Sequence, residues 1–279
     1  MQKRRDFLQK MGMASAGVVL APSINFAKTF AAPKLPAPGI QLFTLFNEMD
    51  KDTVGSLQKV AAAGYKNIES AFSNQGGFYG RKPKEFAQLI KDLGMEWKAH
   101  HVLGGPIKLP PNYKMPNGPD GKPVSIPQAK NLKNNSQELV DAVAEAGIPY
   151  IVCANIPDHS GEEIKDAAEV LHRTGEQAKK AGVQLVYHNH NTEFSSTDGI
   201  VAYDYFLSQI SPDHLKMELD LGWAFRAGKN PVEIFKKNPG RFPLWHVKDM
   251  DKEGNVVPFG EGSYDFKATF QNAKMAGLQ

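Results

Sequence analysis

A (β/α)8 barrel is the fold class this sequence predicts, and three observations predict it. First, a helix-like run closing on a small or apolar residue plus glycine recurs five times, at Ala63-Gly64, Leu93-Gly94, Ala146-Gly147, Ala181-Gly182 and Ala276-Gly277. Glycine just past a helix end takes the left-handed conformation that closes the last turn. Second, the segments that follow are short and apolar on both faces, as buried parallel strands are. Third, these units repeat at about 30 residues, and regular βα alternation at that spacing means a parallel sheet. Seven units in one run favour a closed barrel over an open doubly wound sheet. No Gly-x-Gly-x-x-Gly turn follows the first strand, which argues against a dinucleotide site.

In order along the chain, strands are expected near 39–44, 66–70, 95–102, 148–153, 183–188, 215–220 and 243–248. Helices are expected near 51–63, 83–93, 130–146, 160–180, 199–210, 230–238 and 265–276. The fifth glycine signature announces an eighth strand after Gly277, so the barrel is expected to be cut short before strand eight and its helix. One long gap, Leu103 to Gln128, interrupts the rhythm and carries seven prolines and four glycines. It follows the C-terminal end of a strand, the active-site side of such a barrel, and reads as a substrate-covering loop or an oligomer contact.

The N-terminal residues read as an address. Lys3-Arg4-Arg5-Asp6-Phe7-Leu8 precedes a mildly apolar stretch from Met11 to Pro22, and small residues follow. A basic region, a short apolar region and small residues make a signal peptide, and the paired arginines resemble the twin-arginine export signal. Residues 1–31 are therefore expected to be removed, with cleavage after Ala27 or Ala31, and the product to be periplasmic or otherwise exported. Residues 32–38 read as a Pro-rich linker, and 39–279 as the barrel.

Charge and composition exclude several classes. The whole chain has 33 Lys and Arg against 30 Asp and Glu, but residues 1–31 hold five of the basic and one of the acidic residues. The rest is close to neutral, which argues against a broad nucleic-acid surface. The single cysteine, Cys153, rules out an intrachain disulfide and a thiolate metal cluster. No apolar run after the N-terminus is long enough to span a bilayer.

Chemistry gathers where the strands end. Expected strand two closes on Glu69, and strand three on His100-His101. Strand five closes on His188-Asn189-His190 with Glu193 beyond, strand six on Glu218-Leu219-Asp220, and strand seven on His246-Val247-Lys248-Asp249. Five strands thus deliver imidazoles and carboxylates to one rim. Strand alternation puts His100 and His101 on opposite faces, and His101 is the one expected in the mouth. Trp97 and Trp245 lie within strands and read as core, and Arg81-Lys82 as solvated surface. Imidazole and carboxylate without thiolate suit a divalent metal, Mn, Zn, Co, Fe or Mg. Such an ion can hold vicinal oxygens of a sugar and polarise a carbonyl, so that a base removes the neighbouring proton.

At these residues the chain resembles the xylose-isomerase-like TIM-barrel superfamily of sugar phosphate isomerases and epimerases, in particular its exported, twin-arginine-tagged branch. The stretches that carry the resemblance are Gly182 to Phe194, Glu218 to Trp223, His246 to Asp249 and the Gly-x-Gly turn at Phe259-Gly260-Glu261-Gly262. The resemblance implies a metal set with a residue on strand five, Asp on six, His on seven and Glu on eight. It maps to His188, which stands where the family has Glu, then Asp220 and His246. His101, Glu69 and Lys248 are the implied catalytic candidates, with Lys248 neutralising an enolate oxygen. His190, Trp223 and Glu193 are candidate substrate contacts. The activity implied is a sugar isomerase or epimerase working through an enediolate. A lyase or hydrolase of 3-keto-glycosides and a non-catalytic sugar-binding barrel are the alternatives. The expected partner is a small-molecule sugar or keto-sugar; a homo-oligomer is compatible with the sequence. The DNA-repair branch of the superfamily needs a further His after the strand-six Asp, where this chain has Trp223.

Overall fold

A computed structural model describes residues 35–108 and 130–279. The export signal read in 1–31, the first part of the linker and most of the Pro-rich gap lie outside the described residues. Seven strands form one parallel sheet in chain order: β1 (Gly39–Gln41), β2 (Asn67–Ser70), β3 (Glu96–Val102), β4 (Tyr150–Cys153), β5 (Gln184–His188), β6 (Lys216–Asp220) and β7 (Leu244–His246). The sheet is curled. In a flat sheet β2 and β7 would stand about 24 Å apart, five strand spacings, yet Glu69 of β2 and His246 of β7 touch at 2.7 Å. This is the TIM-barrel architecture; among the described residues no strand pairs β7 to β1.

All five signature glycines are left-handed, with φ of 97° at Gly64, 71° at Gly94, 73° at Gly147, 75° at Gly182 and 86° at Gly277. The long helix Gly161–Lys180 shows the other end-group rules: Ser160 Oγ accepts from Glu163 N, acids fill its first turn, and Lys179 and Lys180 its last.

Several elements are shorter than expected. β1 stops at Gln41 because its side chain accepts from Phe43 N and starts a 3-10 turn at Leu42–Leu45. The expected helix 199–210 is Ala202–Gln209, preceded by a small hairpin of Ser196–Thr197 and Ile200–Val201. The helix expected over 265–276 breaks at Asn272 into Phe266–Gln271 and Ala273–Ala276. Unforeseen is a helix that begins directly after β6, Leu221–Arg226, with Asp220 as its N-cap. β7 ends at His246, not 248, and Asp249–Met250 turns away to pair antiparallel with Val256–Val257.

The sheet separates two interiors. Outward-facing residues such as Ile68, Ile151, Leu185, Tyr187, Met217 and Leu219 join the helices in one large apolar core. Inside the curl, Ala99, Val152 and Val186 form a small apolar plug, with Tyr150 and Leu244 against it. Two residues beyond Ala99, Val186 and Leu244 along their strands stand His101, His188 and His246. Period-two alternation therefore turns three imidazoles into the barrel directly above the plug.

β3 needs a correction to simple alternation. Trp97 and His101 have the same parity, yet Trp97 lies in the outer core against Phe78 and Phe86. The pairing with β2 shows why: Ile68 faces Trp97 but Glu69 faces Ala99, so Lys98 is an extra, bulged residue. The bulge switches faces, sending His100 outward and His101 inward.

Candidate functional site

Glu218 Oε2 is the hub. It lies 2.9 Å from His101 Nε2, 3.0 Å from His188 Nδ1 and 3.3 Å from His246 Nε2. Glu69 Oε2 contacts two of the same rings, His246 at 2.7 Å and His101 at 3.1 Å. The second Glu69 oxygen, Oε1, is buried with no hydrogen-bond partner. His188 and His246 also present their other nitrogens to Asp220 Oδ2, at 4.0 and 3.7 Å. Lys248 Nζ reaches the same oxygen at 2.6 Å. Lys248 enters the mouth from the segment beyond β7, which ends at His246.

Burial and charge divide the imidazoles. Burial alone lowers the pKa of His101, but Glu69 and Glu218 outweigh it and hold the ring at about 9. His246 is likewise raised well above the usual value against the cost of burial, by Glu218 and Glu69. His188 falls to about 3 through burial and the charge on His246. Burial raises Glu218, but the charge on His246 and the hydrogen bond from His101 outweigh it and carry it well below the carboxylate range. Asp220 sits at about 2, burial being outweighed by His246 and Lys248.

The donor set fits a divalent metal. One ligand atom from each of His101, His188, Glu218 and His246 lies within 4.8 Å of all the others. Three ring nitrogens around one carboxylate oxygen is a crowding that a shared cation relieves, with loss of the imidazole protons. The sequence reading named His188, His246 and Asp220; the tight group instead joins the two histidines to His101 and Glu218. Glu218 went unassigned there, although its i, i+2 relation to Asp220 on β6 puts both on one face.

The other expected residues fall in two classes. Asp220 spends Oδ1 on capping Trp223 N at 3.0 Å, which seats Trp223 beside the mouth. The indole centroid lies 5.3 Å from Lys248 Nζ and 5.9 Å from the ring of half-exposed His190. Glu193 is a correction: it is 1% exposed. Its oxygens accept from Tyr187 OH at 3.0 Å and His190 N at 2.8 Å. It shapes the turn that carries His190, and both of its oxygens are taken by protein donors. Asn189, given no role from sequence, ties β5 to β6 by accepting from Asp220 N at 3.1 Å. Asp249 clamps the Gly-x-Gly turn, accepting from Gly260 N at 2.8 Å and Gly262 N at 3.0 Å.

The family described as xylose isomerase-like TIM barrel matches residues 57–279. An inosose dehydratase of Lacticaseibacillus casei is 26% identical over 140 residues, 43% of this chain and 46% of that one. The match thus spans less than half the length of this curated relative. Among solved structures, a sugar phosphate isomerase/epimerase from Parabacteroides distasonis superposes with TM-score 0.67 at 25% identity, covering 90% of this chain and 86% of that one. An L-ribulose 3-epimerase superposes with TM-score 0.58 at 16% identity, over 88% and 79%, and shares the fold.

Proposed function

The chain belongs to the xylose isomerase-like TIM-barrel family, and from that membership we propose that it is a metal-dependent sugar isomerase or epimerase that removes a proton beside a sugar carbonyl. The observation that carries the reading is the convergence of Glu69, His101, His188, Glu218 and His246 from five strands on one point. His101, His188, His246 and Glu218 are the residues to hold a divalent ion, which supplies Lewis-acid polarisation of a carbonyl. Glu69 is the base this geometry favours over His101. It keeps one carboxylate oxygen without a hydrogen-bond partner, whereas His101 Nε2 is engaged by two carboxylates. The Lys248 ammonium offers positive charge to an oxygen that becomes negative as the proton leaves. Trp223 closes one side as an apolar wall, and His190 offers a half-exposed imidazole to a hydroxyl.

A second reading uses the same proton removal and then expels a group from the neighbouring carbon, which makes a lyase. The likeness to inosose dehydratases supports it. Export to the periplasm, resting on Arg4-Arg5 and the apolar stretch after them, is part of the proposal. N-terminal sequencing of the protein recovered from its host tests that part.

The full chain, loaded with Mn2+ or Zn2+, is incubated with 3-keto-glucosides, simple ketoses and an inosose in D2O and followed by NMR. Solvent deuterium at the carbon beside the carbonyl, or a primary isotope effect from substrate deuterated there, is expected. Loss of water or aglycone marks the lyase reading, and its retention the isomerase reading. Turnover with neither isotope signal removes proton abstraction, and tight binding without turnover leaves a sugar-binding barrel.

A further inference from the structure

We infer that the chain carries a second divalent-metal site, on its outer surface, made by His172, Glu176 and His214 and suited to Zn2+, Ni2+ or Cu2+. One ligand atom from each lies within 4.8 Å of the other two. His172 and Glu176 are four residues apart on helix Gly161–Lys180, hence on one face of adjacent turns, with His172 Nε2 3.6 Å from Glu176 Oε1. His214 arrives from the turn before β6, and its ring stands 5.1 Å from that of His172 at 72°. Its Nδ1 is buried with no hydrogen-bond partner.

The backbone holds this third ligand in place. Gly175, between the two helical ligands, lets the turn approach so closely that a Cβ there would lie 2.2 Å from the His214 carbonyl oxygen. His214 N bonds Ser211 O at 3.0 Å, closing the turn. Only side-chain torsions remain to be set when a metal binds, so little ordering entropy opposes it. Two imidazoles and one carboxylate select borderline transition metals over Mg2+ or Ca2+, which prefer all-oxygen sets.

This site is separate from the polar cluster. His214 precedes β6, whereas Glu218 and Asp220 lie further along it, roughly 13–20 Å away at the rise of a strand. A metal there fastens the long helix to the turn that feeds β6, the strand that carries the hub carboxylate. Its role is therefore to brace the barrel.

The test is titration of the metal-free full chain with Zn2+ by calorimetry, repeated with Ni2+, for the wild type, His172→Ala and Glu176→Gln. Both side chains are about half exposed, so neither change threatens folding, and the metal-free melting temperatures should agree. Each variant is expected to lose one Zn2+ equivalent, or to bind it at least tenfold more weakly, and to lose the corresponding part of the Zn2+-induced rise in melting temperature. The same difference between wild type and His172→Ala is expected in a Glu218→Gln background, which keeps this result independent of the proposed function. Equal stoichiometry and affinity in all three proteins, or saturation by Mg2+ at the same place, would overturn the site.

Discussion

His100 and His101 are neighbours on β3, and the sheet gives them opposite lives. His100 faces the outer core, where its ring lies 4.6 Å from that of Phe78 and Nδ1 is 2.7 Å from Ser70 Oγ. Burial, with the nearby His101, pushes its pKa down to about 3. His101 faces the barrel interior, equally hidden, and two carboxylates hold it at about 9. Depth of burial is therefore not what distinguishes the two faces. On the outer face His100 is met by a neutral hydroxyl. The inner layer gathers charges that offset one another, and such a cluster is where perturbed groups mark chemistry.

The largest break in that comparison is at the hub. Glu218→Gln takes the shared charge from three imidazoles. Turnover should fall on the order of 10³-fold or more, since metal binding and proton transfer both depend on the same cluster. Metal content of the purified protein should fall with it. Retained metal with retained turnover would show that Asp220, not Glu218, anchors the ion.

Next come the paired histidines. His101→Gln removes a proposed metal ligand, so kcat should fall on the order of 10²-fold or more. It also leaves two buried carboxylates short of a partner, so stability should fall by roughly 3–5 kcal/mol. His100→Gln should leave kcat within a few fold and lower stability by about 1–3 kcal/mol, the scale for disturbing a buried hydrogen bond. Acid sharpens the contrast. The unfolded chain protonates His100 near 6.5 and the folded one only near 3. Below 6.5, then, unfolding takes up a proton and stability falls as pH falls. The loss is about 2 kcal/mol between pH 7 and pH 5. His100→Gln lacks this dependence, so the stability gap between wild type and variant should narrow on acidification. A gap that stays constant with pH would mean His100 is protonated in the fold.

Much of this was legible in the chain. The glycine signatures located the helix ends, because a left-handed C-cap has few other residues to use. The strand-end polar residues located the rim, because alternation makes the same-face relation of Glu218 and Asp220 a matter of counting. What the sequence hid were long-range events. The Lys98 bulge decides which face Trp97 shares with His100, and only pairing with β2 reveals it. The contact of Glu218 with His101 joins residues 117 apart, and depends on how far the sheet curls. Glu193 looked like a mouth residue because it follows His190 closely. Its hydrogen bond with Tyr187, on the outward face of β5, shows that the turn folds it back instead. β1 was read too long because an apolar run does not announce that Gln41 will cap the turn after it.

The two tryptophans carry the same comparison to its smallest expected effect. Trp245 is on the outward face of β7, stacked on Phe235 at 5.0 Å and 7° and on Phe270 at 6.2 Å and 13°. Trp223 stands at the mouth with Lys248 and His190 around it and Arg226 Cζ 5.4 Å from its ring. Trp245→Leu removes a packed ring and should lower stability by about 1–3 kcal/mol, a fraction of the cost of full truncation to Ala, with KM unchanged. Trp223→Leu removes the proposed apolar wall of the mouth, whose neighbours in the fold are the Lys248, His190 and Arg226 side chains. Its expected effect is a rise in KM of about 2–10-fold, matching an aromatic contact of roughly 0.5–1.5 kcal/mol, with kcat and melting temperature near the wild-type values. The KM-against-kcat split decides between roles. A fall in kcat without a rise in KM would mean that Trp223 acts by shielding Lys248 and Asp220 from water, and the mouth would then have to be read as a closed electrostatic site with its sugar contacts elsewhere.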